Sequence, residues 1–144
     1  LAEERSARQM LRTESISING QTVEVSYPAL DMNEIKHAFD GDASTLIRTL
    51  EANPLRLVLR FPQATAVNGA RVMIGGTPTR ITLSASRLGQ PLAESTTQVD
   101  SAPVNREVQL SFDDAVDADT ITIHILNTHD GDIAHVHLWE VTIE

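Results

Sequence analysis

The chain has 144 residues, with 20 acidic side chains against 11 basic ones and a formal charge of −9. That surplus repels phosphate backbones and anionic lipid surfaces, so neither nucleic acid nor a membrane is an expected partner. Without cysteine there is no disulfide framework, thiolate metal site or cysteine nucleophile, and no apolar run is long enough to span a bilayer. The length suits one domain burying about 68–70% of its unfolded surface. The chain opens on Leu1 rather than methionine, which fits either an excised fragment or a matured product.

Residues 1–12 are rich in helix formers, with Leu1, Ala7, Met10 and Leu11 on one side, and predict a short N-terminal helix within a lead-in or linker over residues 1–14. Ile16, Ile18, Val23 and Val25 flank Asn19-Gly20, a dipeptide suited to a two-residue hairpin turn. Met32 to Phe39 is the one interior stretch that reads as helical. From Leu55 the alternation is strict: Leu55, Leu57, Leu59 and Phe61 interleave with Arg56, Val58 and Arg60, as in a strand with one buried face. Val72 and Ile74, then Ile81, Leu83 and Ala85, repeat the pattern around Gly75-Gly76-Thr77-Pro78. Val108, Leu110 and Phe112 make a further strand, and Ile121, Ile123 and Ile125 another; the acidic stretch from Asp113 to Asp119 between them reads as a solvated turn. The segment from Ala134 to Ile143 closes the set. Short strands separated by Gly, Pro, Asn and Asp clusters, with almost no helix between them, predict an all-β fold of about eight antiparallel strands packed face to face.

In the closing segment the alternation slips. Apolar side chains occupy 134, 136 and 138, then 139, 141 and 143, so a bulge is expected at Leu138-Trp139, and bulges re-aim side chains at sites. Glu140 follows the slip. A hundred residues earlier, His37 to Thr45 contains Asp40-Gly41-Asp42, a loop whose glycine permits a tight bend that turns oxygens inward. Calcium takes about 6–8 oxygen ligands. Carboxylates of Asp40 and Glu140, the hydroxyl of Thr45 and the peptide carbonyls of His37 and Asp42, with Trp139-Glu140 as the late half, form a candidate structural calcium site. The same loop residues also make ordinary turns.

These residues carry a resemblance. Ala38-Phe-Asp-Gly-Asp-Ala-Ser-Thr45, Asn53-Pro54 before Leu55-Arg-Leu-Val-Leu, Val67-Asn-Gly-Ala-Arg-Val72 and Val136-His-Leu-Trp-Glu-Val141 resemble the discoidin, or coagulation-factor C-type, domains and the family 32 carbohydrate-binding modules. The likeness runs from residue 15 to residue 144. It implies a jelly-roll β-sandwich of the galactose-binding type, a structural calcium held by residues spaced like His37, Asp40, Asp42, Thr45 and Glu140, and an accessory role in a larger extracytoplasmic protein. One departure is plain: where relatives carry aromatics after the loop, this chain reads Leu46-Ile47-Arg48-Thr49. Aromatics total 3%; Phe39, Phe61, Phe112 and Trp139 sit on phases that suggest burial, leaving Tyr27 as the one aromatic positioned for exposure. Sugar sites commonly stack an aromatic on a pyranose face.

Arg48, Asn127, His129 and Asp130 are the candidate ligand-binding residues, at one end of the sandwich, where they would hold a hydroxyl-rich ligand by hydrogen bonds; turn chemistry alone also selects Asn, Asp and Gly there. His135 and His137 share a strand face near His129, Asp130 and Asp132, a conceivable transition-metal set without a second ligand pair at motif spacing; outward polar residues on a strand explain them equally. There is no Gly-x-Ser-x-Gly elbow, phosphate-cradling glycine loop or marked carboxylate pair. The sequence therefore predicts a non-catalytic, calcium-stabilised glycan-binding or targeting module, with a protein-interaction or packing module as the alternative.

Overall fold

The computed structural model describes residues 10–50, 54–75, 78–100, 106–128 and 136–144. Nine strands run in chain order: β1 (Arg12–Ile18), β2 (Gln21–Tyr27), β3 (Leu30–Met32), β4 (Ile47–Thr49), β5 (Leu55–Ile74), β6 (Thr79–Arg87), β7 (Gln90–Val99), β8 (Arg106–Asn127) and β9 (His137–Ile143). Every pairing is antiparallel. The strand order is β3, β4, β9, β5, β8, β6, β7, with β2 also bonded to β5 and β1 to β2. The fold is all-β.

The sandwich depends on two long strands. The first half of β5 pairs with β2 and the end of β8; its second half pairs with β9 and the start of β8. Between these halves the register breaks twice: residues 61–64 of β5 face Asp119 alone, and residues 112–115 of β8 face Asn68 alone. Bulges bend and twist a ladder, and here they let one hydrogen-bonded sheet fold over a single core. Leu55, Leu57 and Leu59 from one half and Ala70, Val72 and Ile74 from the other belong to the same buried cluster. Leu57 lies opposite Ile123, which lies opposite Leu83 on the other side, so the alternation read from the sequence becomes rows of cross-strand apolar pairs. At Gly69 a Cβ would sit 2.1 Å from the carbonyl oxygen of Leu110; only glycine admits that approach beside the second bulge.

Several sequence expectations change. Asp113 to Asp119 is strand rather than turn: Val116, Asp117 and Ala118 pair with Val67, Ala66 and Thr65. Val116 and Ala118 pack on the core while Asp113 to Ala115 stay exposed, so the charges hid an inward alternation. The interior helix shrinks to one 3-10 turn, Ile35–Ala38, because Met32 ends a strand and Asn33 takes a positive φ of 61°. Strand β7 carries no apolar alternation, because its half-buried face includes Ser95 and Thr97 and its other face is exposed. Tyr27 is buried, 7% exposed, and donates its hydroxyl to Glu14 at 2.6 Å. The N-terminal helix falls outside the described residues except at its end, where Arg12 already opens β1. No helix among the described residues is long and apolar enough to cross a membrane.

Candidate functional site

The loop after the 3-10 turn starts from a fixed anchor, since Ile35 and Ala38 are fully buried. His37 stiffens the turn, its Nδ1 accepting from the Glu34 N–H at 3.2 Å. Asp40 accepts the Asp42 N–H at 2.9 Å, and Asp42 accepts both the N–H and the hydroxyl of Ser44, at 3.0 and 2.5 Å. These bonds to Ser44 hold the Asp42 carboxyl below the usual carboxylate range. Gly41, at φ 79°, points its N–H away from the loop and onto Glu140 Oε1 at 3.0 Å, joining residues 99 positions apart.

Glu140 reaches that point because of the slip. Val141 lies opposite Val72, Glu140 opposite Met73 and Leu138 opposite Ile74, leaving Trp139 as the extra residue. Trp139 is 8% exposed beside a fully buried Leu138. Burial pushes the Glu140 carboxyl up to about 6; the Gly41 bond opposes this, and the charges of Asp40 and Asp42 add to it. Its second oxygen, Oε2, is buried without a hydrogen-bond partner. Thr45 is half-buried at the end of the loop. Among the described residues no three His, Asp or Glu side chains converge closely enough to hold an ion by themselves, so a cation here would also need peptide carbonyls and the Thr45 hydroxyl.

Arg48 lies between Met32 of β3 and His137 of β9. It grips Asp31 through two parallel bonds, Nε to Oδ1 at 2.8 Å and Nη2 to Oδ2 at 2.9 Å, a planar match that raises the guanidinium pKa further. Nothing in the sequence marks Asp31, because neither β3 nor β4 has enough residues to show a period. Asn127 ends β8 opposite Thr79, and Leu138 lies opposite Ile74, so the short connection from Ile74 to Thr79 brings Asn127 to the end of the sandwich that carries Arg48. His129 and Asp130 lie outside the described residues, as do Asp132 and His135. His137 packs edge-on against Trp139, ring centroids 6.5 Å apart. With Tyr27, Phe61 and Trp139 buried and Phe39 and Phe112 packed against the core, no described aromatic offers a flat exposed platform.

No family model and no curated protein matches the sequence. Solved structures do. A family 32 module of the C. perfringens protein NanJ, in complex with galactose, is 20% identical with a TM-score of 0.63 over 84% of this chain and 92% of that one. The fold is that of the family 32 carbohydrate-binding modules. A second such module, from AlyQ in complex with 4,5-unsaturated mannuronic acid, is 20% identical with a TM-score of 0.62 over 91% of this chain and 98% of that one. A GH29 fucosidase of Ruminococcus gnavus in complex with fucose is 12% identical with a TM-score of 0.62 over 84% of this chain and only 24% of its own.

Proposed function

We propose that this chain is a non-catalytic glycan-binding module of a larger extracytoplasmic protein, with a structural calcium ion tying its early loop to its last strand. The observation that carries the glycan reading is the end-to-end match to modules solved with sugars bound. The partial coverage of a fucosidase supports the accessory role. Arg48 and Asn127 would form the ligand end, with His129 and Asp130 as the further candidates that the sequence offers; Arg48, pre-set by Asp31, would offer its remaining N–H groups to sugar hydroxyls. Titration with galactose and fucose, repeated with Arg48→Ala, tests this reading; saturable binding that Arg48→Ala abolishes supports it. Absence of binding, together with co-purification of a partner domain, would favour the packing-module alternative, which the lack of an exposed aromatic supports.

The calcium reading rests on Glu140. Its Oε2 lacks a partner and its carboxyl is discouraged from ionising by burial and two nearby carboxylates, conditions that a bound cation would relieve. Asp40, Glu140, the Thr45 hydroxyl and the carbonyls of His37 and Asp42 would hold it, and the ion would supply positive charge and nothing catalytic. At a hundredfold excess over Kd, calcium would add about 2.7 kcal/mol of stability, a Tm rise of roughly 5–10 °C. Glu140→Gln keeps an acceptor for the Gly41 N–H but removes the charge, so it should remove the calcium increment and spare the metal-free melt. A melt unmoved by calcium or by chelation overturns the reading.

A further inference from the structure

At the opposite end of the sandwich lies a cavity of about 550 Å³ that no part of the foregoing uses. It exists because residues 61–64 leave the ladder opposite Asp119, while the turn joining β6 to β7 overhangs the gap. Its wall includes Arg60, Phe61, Pro62, Arg87, Leu88 and Asp119. Since β6 runs the nine residues from Thr79 to Arg87, this cavity is about 25 Å along the strand from the Asn127 end.

Three features point to a ligand. The first is charge: in a chain of net −9, two arginines face one cavity without an ion pair to any described residue. Arg60 lies opposite Glu24 and donates to the Ser26 hydroxyl at 3.0 Å, while Asp119 on the cavity wall accepts the Leu88 N–H at 2.9 Å and the Thr120 hydroxyl at 3.0 Å, with Arg87 near enough to favour its charged form. The second is backbone: Leu88 has φ 50°, in the left-handed region that is unfavourable for a residue with a Cβ. Such outliers collect at functional sites. The third is exposure: Leu88 is 84% exposed, so neither packing nor turn preference accounts for a leucine there. Together Leu88, Phe61 and Pro62 give an apolar wall beside two guanidinium groups that no described carboxylate grips within 4 Å.

We propose that this cleft is a second binding site for acidic saccharides, in which Arg60 and Arg87 take a uronic-acid carboxylate and Leu88 covers the apolar C–H face of the ring. The choice of a saccharide rests on the glycan-binding reading above; the preference for an anion rests on the cleft alone. A galacturonic acid trimer, titrated into the labelled full chain and followed by backbone amide shifts, should move Leu88, Gly89 and Thr120. Arg87→Ala should weaken this binding at least tenfold, and Leu88→Asn about threefold while raising the melting temperature, a combination that a purely structural leucine would not produce. Galactotriose should leave these amides unmoved, and acetate should require far higher concentrations. Trimer binding confined to the Arg48 end, or equal response to galactotriose or acetate, overturns the cleft and leaves the glycan reading intact. Failure of every saccharide at both ends overturns both, and Leu88-dependent sedimentation with anionic vesicles in place of trimer binding overturns the acidic-saccharide assignment.

Discussion

Two hairpin tips in this molecule share a backbone and differ in chemistry. Asn19-Gly20 has φ values of 51° and 79°, and Leu88-Gly89 has 50° and 78°. The first is what such a turn selects: asparagine tolerates the left-handed region, and here its side chain also donates to the carbonyl of Ile143 at 3.1 Å. The second places a branched apolar side chain in the same strained position, exposed to solvent, with its N–H held by Asp119. Backbone geometry therefore does not decide the residue at a tip; what the side chain meets does. The Asn19 tip serves the fold, and the Leu88 tip carries a cost that the fold itself does not repay.

The sharpest test exchanges the logic. Asn19→Leu loses the bond to Ile143 and introduces the strain already present at the other tip, so chemical denaturation should show about 2 kcal/mol of destabilisation. Alanine at either glycine should matter equally, because both need positive φ and neither Cβ would meet an atom within 4 Å: Gly20→Ala and Gly89→Ala should each cost about 1–2 kcal/mol. A large difference between them would break the equivalence of the two turns. Leu88→Asn should act in the opposite direction, stabilising by about 1 kcal/mol or roughly 2–4 °C in Tm; a destabilised variant would show that the leucine has a packing role after all.

The smallest effect is on pH. Hydrogen bonds from Leu88 and Thr120 hold the Asp119 carboxyl below its ordinary value. A depressed carboxylate stabilises the native state above its unfolded pKa of about 4, and that contribution disappears as pH falls through the folded value. Compared at matched chemical exchange rates, the Leu88 amide should lose protection on acidification below about pH 4 while the β1–β2 ladder of the other hairpin keeps its own. Equal behaviour would mean that Asp119 does not latch the tip.

The legible part of the fold is the part with one buried face. Leu55, Leu57 and Leu59, like Ile121, Ile123 and Ile125, recur at every second residue because each set faces the core, although Val58 on the other face is buried too, and Asn19-Gly20 announced its hairpin. The phase slip at Leu138-Trp139 was readable for the same reason, and the bulge stands there. Where burial is partial or masked, period fails: the inner face of β7 is only half-buried and carries Ser95 and Thr97, Val116 and Ala118 are screened by four nearby aspartates, and β3 and β4 are three residues each. Of the loop site, the sequence expects Asp40 and Glu140 to converge, whereas the contact that joins loop and strand is the Gly41 N–H on Glu140, with Asp40 and Asp42 turned onto their own loop.

Local pattern, then, determined which side chains face inward and where the chain turns, because burial and φ preference act on neighbours in sequence. The partner of Arg48, the unpaired oxygen of Glu140 and the cleft between Arg60 and Arg87 were decided by tertiary structure alone. Each depends on segments separated along the chain and brought together by strand register, a long-range quantity that no local periodicity encodes.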